Sequence, residues 1–290
     1  MGVPVFVDVR DLWPDVFADV ATPRLRKLLR LPIHLWQMQL SWALVNATGI
    51  LALSESYLEW ALARAGRPRQ PRDGVFHVTY PDPSGEDDIA LEEETRNWGT
   101  RGVPSSDDHL TCCFFGGLGA VSDLGAILEA ARHPAVRALP LRFVLCGAGA
   151  QLERLRHLAA HQDNVLLPGH VSFAAVRALA SISQLGLAPY RPIDNFRHGI
   201  PNKAVEYLAL GLGVLWGVPD GELAELLVST ASGLVFDSSS PISLVEALVR
   251  AATQPAKLAE MRTNARKLYA AQFAENDVMT RFCDHVERMA

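Results

Sequence analysis

The amino-acid sequence predicts an α/β protein in which a partial α/β domain precedes one complete, doubly wound parallel sheet. From His109 onward, short apolar runs such as 109–116 and 141–147 alternate with helical segments such as 124–133. This alternation is typical of a parallel sheet with helices on both faces. The runs are apolar at almost every position, as expected of strands buried on both sides. Two further strand-like runs, 3–8 and 49–53, occur before residue 66.

The composition indicates a globular enzyme-sized protein. The chain has 290 residues, which exceeds a typical single domain, with 49% hydrophobic and 20% charged residues. A formal net charge of −5 gives no support to nucleic-acid binding as the main role. The four cysteines form no CxxC pair, and three of them lie in apolar surroundings, so we expect reduced core thiols in a cytosolic protein.

The first part of the chain is expected to form an incomplete domain. The run at 3–8 resembles a strand from the middle of a sheet, so the chain is expected to begin part-way through a domain. A long helix follows from about Pro23 to Val45. Ser54 is expected to cap a second helix that ends at Gly66. A Pro- and Arg-rich segment then suggests a linker at residues 67–73.

These features divide the chain into residues 1–70, a partial N-terminal domain, and 71–270, a complete domain. Residues 271–290 are expected to form a final helix that packs back on the first domain. The second domain is predicted to contain a regular series of strands and helices. The strands are expected at 109–116, 141–147, 164–169, 184–190, 213–217 and 233–236, and the helices at 124–133, 148–162, 173–181, 201–210, 222–230 and 243–251.

The long N-terminal helix has a basic, tryptophan-containing segment at residues 24–42. Its cations alternate with leucines, and two tryptophans follow: Arg24, Arg26, Lys27, Arg30, Trp36 and Trp42. Such a segment can lie on an anionic membrane surface. The alternative, which we prefer, is a helix packed on a sheet with a solvated basic face. No uninterrupted apolar stretch reaches the length of a membrane span.

Candidate binding residues follow several of the predicted strands. Ligands bind at the carboxyl ends of strands in doubly wound sheets. These ends carry Gly116–Gly119, Cys146–Gly149, Gly169–His170, Tyr190 and the turn before Pro201. Neither glycine loop completes the GxGxxG fingerprint, and no Walker A sequence is present. The convergence of these loops at one edge is therefore the stronger argument for a site.

Residues 196–217 contain the most informative pattern. Pro201 suits the first turn of a helix, and Gly211 suits its C-terminal stop. Lys203 and Glu206 are three residues apart, so they are neighbours on the helix surface. A helix N-terminus with a lysine suits a phosphate, and a carboxylate one turn deeper can accept hydrogen bonds from sugar hydroxyls. The pattern predicts a nucleotide diphosphate site, but an exposed ion pair explains these residues equally well.

The sequence gives little support to metal or nucleophilic chemistry. His157 and His161 are four residues apart on a predicted helix, which is a spacing that a metal pair can use. No third ligand is evident, and HExxH and GxSxG are absent. We therefore expect a polar helix face at these histidines, and no metal or cofactor.

The chain resembles the C-terminal part of the retaining glycosyltransferases of family 4, which have the GT-B fold of two facing Rossmann-like domains. It is most similar to the bacterial surface-polysaccharide branch and lacks the N-terminal part of that family's first domain. The resemblance covers essentially the whole chain. The matching segments are DVRDLWPD (8–15), FFGGLG (114–119), FVLCGAGAQLERL (143–155), NVLLPGHVS (164–172), LGLAPY (185–190) and IPNKAVEYLALGLGVL (200–215).

Four positions can be compared with the family's usual functional pattern. Glu206 stands at the second of the family's two glutamates, while His198 stands at the first. The usual arginine of the first glycine loop is Gly117, and its companion lysine is Leu124. The branch with PNK before EYLA commonly shows such replacements, and Lys203 is the candidate substitute as phosphate partner.

The resemblance implies a role for each candidate residue. Lys203 and Glu206 are the implied catalytic pair: the lysine neutralises the pyrophosphate leaving group, and the glutamate holds the ribose hydroxyls. The remaining implied donor-binding residues approach the diphosphate, flank the base or complete the pocket: Gly116, Gly117, Gly119, Gly147, Gly169, His170, Val171, Tyr190, Pro201 and Asn202. Asp8, Arg10 and Asp11 lie either near the cleft or in an ion-pair network, and both interpretations stay open.

The resemblance also implies an activity. It is transfer of a hexosyl or N-acetylhexosaminyl group from a nucleotide-diphosphate sugar, with a UDP-sugar favoured, to a glycan or lipid-linked acceptor with retention. The implied setting is cell-surface polysaccharide synthesis in the cytoplasm, with peripheral contact at the inner membrane face through residues 24–42. Two alternatives stay open: a truncated, non-catalytic nucleotide-sugar-binding remnant, and a UDP-sugar epimerase of the same fold.

Overall fold

A computed structural model describes residues 3–17, 21, 23–83, 88–105, 108–119 and 121–289. It contains two separate sheets, one of three strands and one of six, and every pairing within them is parallel. Helices connect the strands and cover the sheets. The predicted α/β class, with one large doubly wound domain and a smaller Rossmann-like one, is confirmed.

The three-stranded sheet is built from the N-terminal part of the chain. Its strands pair in the order β1-β2-β3, with Phe6 opposite Gly49 and Leu51 opposite Gly74. The elements are β1 (Phe6–Val9), α1 (Pro23–Asn46), β2 (Gly49–Ala52), α2 (Glu55–Ala65) and β3 (Gly74–Val75).

Helix α2 has the ends that its sequence predicts. The Ser54 side chain accepts a hydrogen bond from the Tyr57 amide, and Gly66 ends the helix in the left-handed conformation at φ +64°. These caps satisfy amides and carbonyls that a helix leaves without internal partners. They fix where α2 begins, which matters because its first turn faces the second domain.

Strand pairing extends the first sheet beyond the expected division at residue 70, because β3 pairs with β2. Asp73 fixes the approach to β3: it is 5% exposed and accepts hydrogen bonds from the Ile50 amide, at 2.8 Å, and from Arg67 Nη1, at 2.6 Å. A buried carboxylate needs such partners. The segment that reads as a linker is thus tied to the first sheet.

The six-stranded sheet occupies the second part of the chain. Its strand order is β6-β5-β4-β7-β8-β9, the order of a Rossmann-like sheet, and its direction of winding reverses between β4 and β7. Helix α3 (Asp88–Thr100) precedes it. The strands are β4 (Leu110–Phe115), β5 (Leu141–Cys146), β6 (Val165–Gly169), β7 (Leu185–Ala188), β8 (Gly213–Trp216) and β9 (Gly233–Val235).

Helices cover both faces of this sheet and enclose two hydrophobic clusters. Helix α8 is a short element that no sequence pattern predicted. The helices between and after the strands are α4 (Leu124–Arg132), α5 (Pro134–Arg137), α6 (Leu152–Ala159), α7 (Phe173–Ser181), α8 (Asp194–His198), α9 (Asn202–Ala209), α10 (Glu222–Ser229), α11 (Pro241–Thr253), α12 (Pro255–Gln272) and α13 (Glu275–Met289).

The last helix, α13, lies against the first sheet. The rings of Phe76 and Phe282 pack edge to face with centroids 5.3 Å apart. His285 Nε2 lies 3.2 Å from the Arg72 carbonyl oxygen. The C-terminal helix therefore packs against the residues that flank β3. This contact joins the two domains in addition to the chain connection between them.

In the part of the chain that the structure describes, every helix is either too short or too polar to span a lipid bilayer.

Candidate functional site

A cleft of about 530 Å³ opens at the carboxyl ends of β4 and β5, next to the point where the winding of the sheet reverses. This is the position at which doubly wound sheets bind ligands. The cleft is lined by Phe115, Gly116, Gly117, Cys146, Gly147, Ala148, His170, Val171, Phe173, Val176, Lys203 and Glu206. Seven of the residues proposed from sequence are among these twelve.

Helix α9 carries the two charged residues of the cleft. Pro201 precedes the helix as its N-cap, with φ −75° and ψ 151°. The prediction that it lies inside the first turn is therefore wrong by one residue. Lys203 is the second residue of the helix and Glu206 the fifth, so both point to one side. Gly211 follows the helix in the left-handed conformation at φ +70°, as predicted.

The Lys203 ammonium lies partly buried beneath the first glycine loop. Nζ donates a hydrogen bond to the Phe115 carbonyl and lies 4.6 Å from the centroid of the Phe114 ring. Gly116 has φ +144°, which favours glycine, and a Cβ there would contact Nζ and require the lysine side chain to shift. Burial lowers the pKa of Lys203, and the nearby Glu206 opposes that shift. The cation is thus held where an anion in the cleft can reach it.

Glu206 presents a half-buried carboxylate to the same cleft. Burial raises its pKa, while Lys203 and a hydrogen bond with the Tyr80 side chain oppose the shift. A carboxylate in this setting is a strong hydrogen-bond acceptor. Tyr80 lies between the two sheets in sequence, and no motif pointed to it.

Two glycines let the loops after β4 and β5 stack directly on each other. Gly147 has φ +152°, and a Cβ there would overlap the Gly116 carbonyl oxygen. Gly149 has φ +151°, and a Cβ there would lie 2.6 Å from the Leu118 carbonyl oxygen. The result is a cleft floor made of backbone, which a phosphate can approach closely.

The far wall of the cleft follows β6. His170 is exposed, and Val171 is partly buried beside it. Phe173 and Val176, which the sequence reading missed, add an apolar surface from α7. Phe173 is 53% exposed although it is large and apolar. The sequence offers one indication of this exposed position, a large apolar residue directly after the helix-capping Ser172. Large apolar residues are usually buried, so this indication is weak.

Five of the proposed residues do not line this cleft. Gly119 and Gly169 are hydrogen-bonded to the loop after β5: the Gly119 carbonyl accepts from Gln151 Nε2, and the Gly169 carbonyl accepts from the Gly147 amide at 2.7 Å. Tyr190, Pro201 and Asn202 line a second cleft of about 320 Å³, between the two sheets.

The second cleft also contains residues of the first domain. Arg10, Leu53 and Tyr57 line it opposite Asn195 and Ile200. Arg10 therefore lies at a cleft and is also part of an ion pair, since its Nε lies 2.7 Å from Asp8 Oδ2. Both features apply to Arg10 alone, since Asp11 accepts a hydrogen bond from the Trp13 amide and lies in neither.

The histidine pair shows no sign of a metal site. His157 and His161 are both exposed on or beside α6. Among the described residues, no three histidine, cysteine, aspartate or glutamate side chains come together as metal ligands.

Comparison with known proteins supplies a family. Residues 109–254 match the family model described as "Glycosyl transferases group 1". No curated protein matches the chain significantly. The matched segment contains all twelve residues of the first cleft.

Solved structures give the fold. Sucrose-phosphate synthase from Thermosynechococcus elongatus superposes with a TM-score of 0.74 and 16% identity, over 100% of this chain and 68% of that one. HepE from Anabaena, solved in complex with UDP and glucose, superposes with a TM-score of 0.69 and 14% identity, over 98% of this chain and 72% of that one. WaaG, a glycosyltransferase involved in lipopolysaccharide biosynthesis, superposes with a TM-score of 0.63 and 18% identity, over 93% of this chain and 71% of that one. At these identities the likeness shows a shared GT-B fold.

We expect Gly147→Ala to lower the free energy of unfolding by about 1–3 kcal/mol, because the new Cβ forces a strained backbone against the Gly116 carbonyl. Urea denaturation measures this. Gly117→Ala is the matched control, since a Cβ at Gly117 meets no atom within 4 Å. Equal stability of the two variants would contradict the stacked-loop account.

Proposed function

The chain belongs to the glycosyl transferases group 1 family, and we propose that it transfers a sugar with retention from a nucleotide-diphosphate donor, a UDP-sugar by preference. The observation that carries this is the common cleft of Lys203, Glu206 and the Gly116–Gly117 backbone. The cleft thus offers a cation and an accessible backbone to a diphosphate, and a carboxylate to the hydroxyls of the attached ribose.

In the proposed complex, the diphosphate lies over Gly116 and Gly117. Lys203 is the one lysine or arginine among the described residues that line the cleft. Its ammonium stabilises the negative charge that develops on the leaving diphosphate. A fixed charge in a partly dry cleft is more effective than one in water. Because Lys203 supplies this charge, the proposal needs no metal ion.

Glu206 is proposed to accept hydrogen bonds from the ribose hydroxyls, and the wall formed by His170, Val171 and Phe173 to flank the base. The preference for uracil draws on the Anabaena neighbour, which was solved with UDP and with UDP-glucose. The apolar wall offers a flat surface to a planar base.

The acceptor is proposed to enter from the second cleft. This cleft lies between the two domains and ends at Pro201 and Asn202, the start of the helix that carries Lys203. An acceptor there can approach the donor sugar from the side of the first domain. A glycan or lipid-linked acceptor in cell-surface polysaccharide synthesis, with a hexosyl or N-acetylhexosaminyl donor, is the proposed biological setting.

We further propose that the enzyme is cytoplasmic and contacts the inner membrane face through residues 24–42. One face of α1 packs on its own domain through Ile33 and Leu44, which are buried. The opposite face exposes a stripe of large apolar side chains at helical spacing: Leu28, Leu31, Leu35, Met38, Trp42 and Val45.

Charge supports a lipid partner for this stripe. Arg24, Arg26, Lys27 and Arg30 are all exposed at the N-terminal end of α1, in a protein with a formal net charge of −5. Basic residues beside an exposed apolar stripe fit an anionic bilayer surface. This placement also brings the enzyme to a lipid-linked acceptor.

We expect Lys203→Ala to weaken UDP binding about ten- to a hundredfold, because a charge-assisted hydrogen bond to a phosphate is worth roughly 1.5–3 kcal/mol. Isothermal titration without added metal measures the effect. Lys257→Ala, which removes an exposed lysine from α12, is the control and should bind as the wild type does. Unchanged affinity in the Lys203 variant would remove this residue from the donor site.

We expect Glu206→Gln to weaken UDP binding about five- to tenfold at neutral pH, since a charged acceptor is stronger than a neutral one. Binding of a 2′,3′-dideoxy analogue, already weak, should change little. Equal losses for both nucleotides would indicate general damage and contradict a ribose contact.

The pH dependence of the same variant is a second test. Because burial raises the pKa of Glu206, its carboxylate becomes protonated at a higher pH than an ordinary glutamate. The affinity ratio of wild type to Glu206→Gln should therefore shrink as pH falls from about 7 to about 5. Titration of the diphosphate itself affects both proteins and cancels in the ratio. A constant ratio would contradict this role.

We expect the combined change of Leu28, Leu35 and Trp42 to serine to reduce binding to phosphatidylglycerol vesicles at least about tenfold, because each apolar side chain contributes on the order of 1 kcal/mol or more. Co-sedimentation measures this. Val228→Ser with Ile242→Ser, which are exposed elsewhere, is the control. Equal binding of the two variants would contradict docking through α1.

A further inference from the structure

The two domains are joined by a set of hydrogen bonds around α8, which we call the α8 latch. Its members are Leu12, Ser54 and Tyr57 of the first domain and Asn195, His198 and Glu222 of the second. Asn195 Oδ1 accepts from the Leu12 amide at 2.8 Å. The Tyr57 hydroxyl donates to the Asn195 carbonyl at 2.8 Å. The Ser54 hydroxyl donates to the His198 carbonyl at 2.6 Å.

Tyr57 is the centre of the latch. It is 3% exposed, and its hydroxyl also lies 3.1 Å from Asn195 Oδ1. A Cβ on Gly199 would lie 2.5 Å from that hydroxyl, so the glycine allows the close approach. Burial raises the pKa of Tyr57, and the charges of Asp11 and Glu222 raise it further. The hydroxyl therefore stays protonated and remains a donor.

Glu222 closes the latch from the other side. Its carboxylate oxygens accept from the amides of Glu55, at 3.1 Å, and Ser56, at 2.7 Å. These amides belong to the first turn of α2, where a helix favours a negative charge. A residue of the second domain thus caps a helix of the first.

The latch lies directly before the donor helix. Only Gly199, Ile200 and Pro201 separate His198, the last residue of α8, from the first residue of α9. Ile200 is 3% exposed and belongs to the larger hydrophobic cluster, so this connection is packed in place. A shift of α8 would therefore be transmitted to the helix that carries Lys203.

We propose that Tyr57 is a positioning residue for donor binding, which acts through α8 to hold the start of α9 at the cleft. The inference rests on the proposed function, since the donor is a nucleotide diphosphate. It means that the first domain contributes to donor affinity without touching the donor, and that donor binding tightens the contact between the domains.

The test is UDP titration of wild type, Tyr57→Phe and Trp60→Phe. Trp60 lies on the same helix but contacts Arg64 of its own domain, so its change is a matched control. Tyr57→Phe should bind UDP about three- to tenfold more weakly, the value of one hydrogen bond, while the control keeps wild-type affinity. A hydroxyl with only a structural role would lower the melting temperature and leave affinity unchanged, which would overturn the proposal.

Hydrogen exchange on the wild type gives a second readout that does not depend on a variant. Coupling is reciprocal, so UDP should slow exchange at the amides of Leu12, Glu55 and Ser56, which lie in the other domain. Measurable UDP binding with unchanged exchange there would overturn the latch. Absence of UDP binding by the wild type would overturn the proposed function, and the latch with it.

Discussion

The contacts of the partly buried Lys203 ammonium are the interactions on which the proposed donor site depends. A cation partly removed from water needs compensation, and here it has the Phe115 carbonyl, the face of the Phe114 ring and the nearby negative charge of Glu206. Gly116 covers it without adding a side chain. The protein therefore holds a positive charge directly beneath a backbone floor, at the edge of the cleft. The proposed function gives this charge a ligand partner, the diphosphate of the donor.

Much of this arrangement could be predicted from sequence, because it follows from local rules. Apolar runs alternating with helices specify a parallel sheet, and the carboxyl ends of its strands must share one edge. The spacing of Lys203 and Glu206 places both on one helix face. These rules predict that Gly116, Gly147 and His170 share one edge of the sheet, where the structure places them in one cleft.

The remaining features depend on contacts between segments that are distant in sequence. Tyr80 reaches Glu206 only because the segment after β3 folds over the second domain. Phe173 stays exposed because the cleft opens beside it. Tyr57 and Asn195 meet across the domain interface, 138 residues apart in the chain. No periodicity or capping pattern encodes such meetings, so the second cleft and the α8 latch could be found only in three dimensions.

The most direct test of the account is a crystal structure with UDP bound. The account predicts that the diphosphate lies over the amides of Gly116 and Gly117 within hydrogen-bond distance of Lys203 Nζ. It also predicts that the ribose hydroxyls face the Glu206 carboxylate. UDP bound in the second cleft, against Arg10 and away from Lys203, would contradict it.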